Sequence, residues 1–167
     1  RMVRLLAEET APVIVVAAPD QALPPLPGDV RLVRDAQRSR GPLQGLAAGL
    51  EALHGLADAA FVSSCDVPFL RPAFVRRMSD LLGDHDVAVP LVDGFRHPLA
   101  AVYRVGVLAT VIDLLQADRL RPAFVFDRVR TRFVTAGELA DVDPTFQTLR
   151  NLNTPEEYEQ ALREVQA

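Results

Sequence analysis

Apolar residues along the chain fall into two rhythms: short unbroken runs, and longer stretches spaced at three and four. Val13 to Val16 is an unbroken β-branched run between Pro12 and Pro19, which predicts a strand buried on both faces, of the kind parallel sheets contain. The stretch before it, "RMVRLLAEE", reads as the last two turns of an amphipathic helix with Val3, Leu5 and Leu6 on its apolar side. A proline-rich loop follows over 21–29, and then Val30, Leu32 and Val33 make a short second strand ending at Asp35. Leu43, Leu46, Ala47, Leu50 and Leu53 recur at helical spacing and predict a helix that runs to about Gly55.

The alternation then repeats. Ala59 to Ser64 is an apolar strand, and Arg71-Pro72 opens a helix whose inner stripe is Phe74, Val75, Met78, Leu81 and Leu82. Strands are predicted at 87–91 and 99–103, joined by the turn "DGFRHP", and a helix follows with Val107, Leu108, Val111, Ile112 and Leu115. "VRTRFV" at 129–134 alternates, with Val129, Thr131 and Phe133 on one side, and predicts a half-exposed strand. The last helix carries its own start signal: Thr154 as cap, Pro155 in the first position, Glu157 closing a capping box, and Tyr158, Ala161, Leu162 and Val165 as the stripe. Buried strands alternating with helices predict a three-layer α/β/α sandwich on a mostly parallel sheet, with an antiparallel excursion near 87–103.

Composition narrows the function classes. At 167 residues and 49% apolar, the chain suits one domain with a real core. A net charge of -4 argues against a general nucleic-acid-binding surface, and no apolar run is long enough to span a bilayer. One cysteine, Cys65, cannot form an internal disulfide, which fits a reducing cytoplasm; it reads as a small buried filler, since no basic neighbour in sequence would activate it.

In open α/β sheets ligands bind beyond the carboxyl ends of the strands, where helix N-termini point their amides outward. Asp35 and Asp66 occupy two such ends, and carboxylates there suit magnesium, which takes one or two of them beside water and phosphate. Each also suits a plain helix cap or turn. Gly45 and Gly49 lie on one face of the second predicted helix, so either a neighbouring strand or a nucleotide comes close there, while Gly41 and Pro42 set its first turn. His97 fits a ligand contact or a turn residue, and loop hydrogen bonding would account for Asn151 and Asn153. A Ser-His-Asp elbow, a zinc-ligand cluster and a Walker-type loop are all absent from the sequence.

Four stretches in order, "GPLQGLAAGL", "SSCDVPFL", "HPLAAVYR" and "NLNTPEEY", together resemble the molybdenum cofactor guanylyltransferases, the MobA-type nucleotidyltransferases. The resemblance implies a Rossmann-like α/β sandwich of the nucleotide-diphospho-sugar transferase type. It also implies transfer of the GMP part of GTP to molybdopterin carrying molybdenum, with release of pyrophosphate and with a possible partner that delivers the pterin. On matching positions it implies that Asp66 binds Mg2+, that Asp35 contacts the guanosine nucleotide, and that Gly41, Pro42, Leu43 and Gly45 lie near that nucleotide. His97, Asn151 and Asn153 would then make pterin-side or metal-side contacts.

The family's opening strand, Gly-rich loop and phosphate-gripping lysine have no counterpart in these residues, and Arg1-Met2 is not that motif. The expectation is a single nucleotidyltransferase-like domain over 1–167 without that strand and loop, a segment of roughly 30 to 40 residues. "VIVVAAPD" also lacks the asparagine that some members place at the end of this strand. Two alternatives stay open. One is another nucleotidyltransferase of this fold, either a CTP-dependent pterin cytidylyltransferase or a sugar-phosphate nucleotidyltransferase. The other is a non-catalytic protein that binds pterin or nucleotide.

Overall fold

A computed structural model describes residues 2–35, 40–152 and 154–166. Its elements run α1 (Met2–Glu9), β1 (Val13–Ala17), β2 (Val30–Arg34), α2 (Gly41–Ala52), β3 (Ala59–Ser63), α3 (Pro72–Leu82), β4 (Val87–Val92), β5 (Phe95–Arg96) and β6 (Ala100–Arg104). They continue with α4 (Leu108–Gln116), α5 (Ala123–Phe126), β7 (Thr131–Thr135), α6 (Ala136–Leu139) and α7 (Pro155–Gln166), plus single 3-10 turns at Val105–Val107 and Gln147–Leu149.

β1 and β2 form a parallel pair, and a five-stranded sheet is built around β4. There β3, β4 and β7 share one direction, while β6 sits antiparallel between β3 and β4 and β5 runs antiparallel beside β4. Since β7 pairs with the whole of Val87 to Leu91, β5 and β6 must lie end to end along the other edge of β4. This is the expected antiparallel excursion within a sheet whose strands mainly share a direction.

The period of two along each strand separates two cores. Val87, Val89, Ala101 and Tyr103 face α2, α4 and α5. Ala88, Val92, Ala100 and Val102 face α3 and α6, together with Val134. β4 and β6 are therefore apolar at consecutive positions because helices cover both faces, which gives the three layers. Each fully buried side chain such as Phe74 or Val111 contributes about 1.5–3 kcal/mol of burial.

Several expectations need correcting. β1 is not sealed on both faces: Val13 and Ala17 are buried and the three residues between are half-buried, because β2 is its only strand partner among the described residues. In α4 the buried positions are Val111 and Leu114, and Ile112 faces outward. β7 starts at Thr131 and its buried residue is Val134, whereas Phe133 lies edge-on to Phe126 with the Arg96 guanidinium over its ring. The "DGFRHP" turn contains the extra strand β5. Asp93 and Gly94 both take positive φ, the geometry of the tight hairpin turn that asparagine or aspartate followed by glycine favours. α7 starts as expected, with Thr154 N–H donating to Glu157 Oε2 and Glu157 N–H to Thr154 Oγ1, each at 3.2 Å. Ala161 is buried, and the side chains of Tyr158, Leu162 and Val165 lie outside the described ones.

Candidate active site

β3 ends at Ser63, and α3 begins at Pro72, which needs no N–H in the first helical turn. The connecting loop carries Asp66 between those two stops. Val67 and Leu70 are buried and anchor the loop from below. From the β6 side, Ser64 N–H donates to Leu99 O at 3.2 Å.

The other wall comes from far along the chain. Leu152 N–H donates to Asp66 O at 2.9 Å, and Asn151 Nδ2 donates to Asp66 Oδ2 at 3.3 Å. Thr148 Oγ1 reaches Phe69 O at 3.5 Å, and the Arg150 guanidinium lies over the Phe69 ring. These contacts lay residues 148–152 across the loop as a strap. Of the two carboxylate oxygens of Asp66, Oδ2 is held and Oδ1 is buried with no hydrogen-bond partner among the described residues.

The strap is fixed by a residue that sequence reasoning missed. Asp143 is 0% exposed. Its carboxylate accepts the amides of Gln147 (3.2 Å) and Thr148 (2.8 Å) and faces Arg71 Nε at 3.4 Å. In sequence Asp143-Pro144 looks like ordinary turn chemistry, and nothing local marks it as buried.

Asp35 follows β2, with its amide donating to Ala17 O at 2.8 Å. Its Oδ1 is buried without a partner among the described residues, and burial pushes its carboxyl above the usual range. α2 begins at Gly41, whose φ of +69° few other residues would adopt, with Pro42 in its first turn and, among the described residues, no side-chain cap on the first amides. Leu43 is buried in the core, so its side chain packs and only its amide can meet a ligand. Gly45 and Gly49 face β1: a Cβ on Gly45 would stand 3.9 Å from Val16 Cγ1, and one on Gly49 3.4 Å from Val16 Cγ2. Close helix–strand packing accounts for both.

His97 is half-buried just before β6, donating its amide to Pro90 O and accepting from Ala100 N–H, each at 3.1 Å. Burial pushes its imidazole below the ordinary value, partly opposed by Asp93, so the ring is neutral at pH 7. Asp66 is thus joined directly to Asn151 and, through the Ser64 amide two residues earlier, to the turn at 97–99. Among the described residues no hydrogen bond ties Asp35 or the start of α2 to that cluster. Asn153 lies outside the described residues. A groove of about 330 Å³ between α2 and α4, lined by Gln44, Glu51, Leu108 and Ile112, holds none of the expected site residues.

What Asp66 itself offers a metal is carboxylate oxygen. Among the described residues no three His, Cys, Asp or Glu side chains converge on a metal position, which does not suit a closed zinc site. One carboxylate with a partnerless oxygen at the end of a strand does suit magnesium. Cys65 is exposed and free rather than the buried filler expected of it.

The fold is shared with the molybdopterin-guanine dinucleotide biosynthesis protein A of Archaeoglobus fulgidus, at TM-score 0.69 and 19% identity over 81% of this chain and 68% of that one. A protein from Aquifex aeolicus aligns at TM-score 0.62 and 22% identity, over 75% and 63%. In sequence the chain is 36% identical to the molybdenum cofactor guanylyltransferase of Desulfosudis oleivorans, over 81% of this chain and 67% of that protein. It is 31% identical to the probable molybdenum cofactor guanylyltransferase of Methanosarcina acetivorans over 82% of this chain, and 35% identical to that of Methanothermobacter thermautotrophicus over 77%. These matches span 61% and 64% of those relatives' own lengths. The MobA-like NTP transferase domain profile matches residues 1–131, nearly all of both sheets, and the chain belongs to that family.

Proposed function

We propose that the protein transfers the GMP part of GTP to molybdopterin carrying molybdenum. A terminal phosphate oxygen of the pterin attacks the α-phosphorus, the bond from that phosphorus to the α,β-bridging oxygen breaks, and pyrophosphate leaves. The observation that carries this reading is the Asp66 carboxylate at the end of β3, with one oxygen held by Asn151 and the other buried without a partner. The names of the relatives supply the substrate class.

Asp66 would hold Mg2+, with Asn151 fixing the orientation of its carboxylate. When bound, magnesium supplies charge neutralisation at the triphosphate and orients it for in-line displacement. Asp35 faces the nucleotide, and the uncapped amides of the first turn of α2, those of Gly41 and Leu43, offer donors to its phosphates, while Gly45 lets that turn lie close to β1. His97, neutral, serves as a hydrogen-bonding group beside the pterin rather than as a second cation, and Asn153 is assigned to the same side on resemblance alone. Residues 1–167 act as one nucleotidyltransferase-like domain, in keeping with two cores that share a single sheet. A pterin-delivering protein is the expected partner. Among the described residues no helix is long and apolar enough to cross a membrane, and we place the protein in the cytoplasm on the strength of its single free cysteine.

Calorimetric titration with each of the four nucleoside triphosphates in Mg2+ tests this assignment. GTP is expected to bind most tightly. Equal affinities would remove the guanine specificity, and tightest binding of CTP would make the protein a cytidylyltransferase. Asp66→Ala is expected to abolish transfer while leaving the unfolding transition in place.

A further inference from the structure

β4 and the strand returning beside it do not match in length. Val92 pairs with Phe95 and Leu91 with Arg96, then Ala88 pairs with Val102 and Val87 with Tyr103. Between these stretches β4 has two residues, Val89 and Pro90, and the returning strand has five, His97 to Ala101. Pro90 has no N–H to offer a partner, so a regular ladder would lose a bond there. The surplus folds out as a bulge, the usual device for re-aiming a strand beside a site.

Each carbonyl of that bulge has one donor. His97 O accepts Ala100 N–H at 3.1 Å, Leu99 O accepts Ser64 N–H at 3.2 Å, and Pro98 O accepts the Tyr103 hydroxyl at 2.8 Å. The first two are backbone bonds that many sequences could make. The third needs a tyrosine. Tyr103 is 0% exposed, and its ring stacks on Phe126 in the core against α2, α4 and α5. Phenylalanine would fill that space, and a buried hydroxyl is costly unless it has a partner. Burial also pushes the phenol far above its ordinary value, so it stays a donor.

We propose that Tyr103 is a positioning residue for Asp66: its hydroxyl holds the Pro98 carbonyl, and so fixes the bulge whose Leu99 carbonyl takes the Ser64 amide, two residues before the carboxylate. The metal half of this proposal rests on the assignment of Asp66 as a cation-holding carboxylate, and the backbone half does not.

The test is Tyr103→Phe, read in two ways. Hydrogen exchange at the Ser64 amide is expected to rise about tenfold relative to that of core amides such as Val89, whereas mere loss of packing would raise both together. Mn2+ affinity in the presence of GTP is expected to fall about tenfold, as it does when a group supporting a metal ligand is removed, with Asp66→Ala as the reference for full loss. Unchanged Ser64 exchange, or a rise shared equally by the core, overturns the proposal. Should the unaltered protein bind no Mn2+ with GTP, the reading of Asp66 fails, and Ser64 exchange alone then decides the role of Tyr103. If Tyr103→Phe does not fold, Pro98→Gly, which keeps every carbonyl but loosens the bulge, is measured in its place with the same two expectations and the same overturning result.

Discussion

Asn151 Nδ2 donates to Asp66 Oδ2 at 3.3 Å, and so joins residues 85 positions apart in the chain. Asn151 is exposed and its backbone sits in a loop, so its side chain carries little of the stability of the fold. Its role is to settle which way the carboxylate points. Asn151→Ala is expected to leave the melting temperature nearly unchanged, with a cost within about 0.5 kcal/mol, and to weaken Mn2+ binding with GTP about tenfold. Titration followed by the relaxation of water protons would show whether the metal is held as tightly without the amide.

Gly45 makes the opposite case. A methyl group there would meet Val16 at ordinary contact distance, and alanine is the better helix former. Gly45→Ala is therefore expected to raise stability by about 0.5–1 kcal/mol in urea unfolding. If the gain in stability comes with a large loss of GTP affinity, the glycine also serves the approach of the nucleotide.

Burial alone lifts the Asp35 carboxyl above its usual value, so ionising it opposes folding. Its favourable contribution is complete below the ordinary carboxylate range and is lost as the pH climbs through the raised value. Asp35→Asn is expected to melt higher than the unaltered protein at neutral pH, to match it in acid, and to bind GTP more weakly. A variant that collapses at neutral pH would instead make Asp35 a structural cap.

Asp143→Ala removes the acceptor of two amides under the strap, leaving that of Thr148 buried and that of Gln147 half-buried. A loss of about 2–4 kcal/mol is expected in urea unfolding. Hydrogen exchange at Leu152, whose amide bonds Asp66 O, should accelerate more than exchange in β4.

What the sequence disclosed and what it withheld follow one physical division. Elements whose signals are local could be read directly: the apolar runs of β3 and β4, the stripe of α3, and the Thr154–Glu157 box of α7. α6 carries the same box in Thr135 and Glu138, but four residues show no stripe, and β5 is too short to show a period. Asp66 was legible as a carboxylate at a strand end. That Asn151 bonds it, that Asp143 is sealed beneath the strap, and that Tyr103 reaches Pro98 depend on which segments fold against each other. Spacing along the chain does not encode those meetings.

The strap over Asp66 belongs to no strand ladder: it hangs on the loop by a few polar contacts and one ring, and is pinned to the layers beneath through Leu149 and the buried Thr148. Its outward positions, Asn151 among them, can therefore change without unpicking the layers beneath. A protein assembled this way keeps its carboxylate at its post while the outer side of the strap varies, much as a door can be rehung on an old frame.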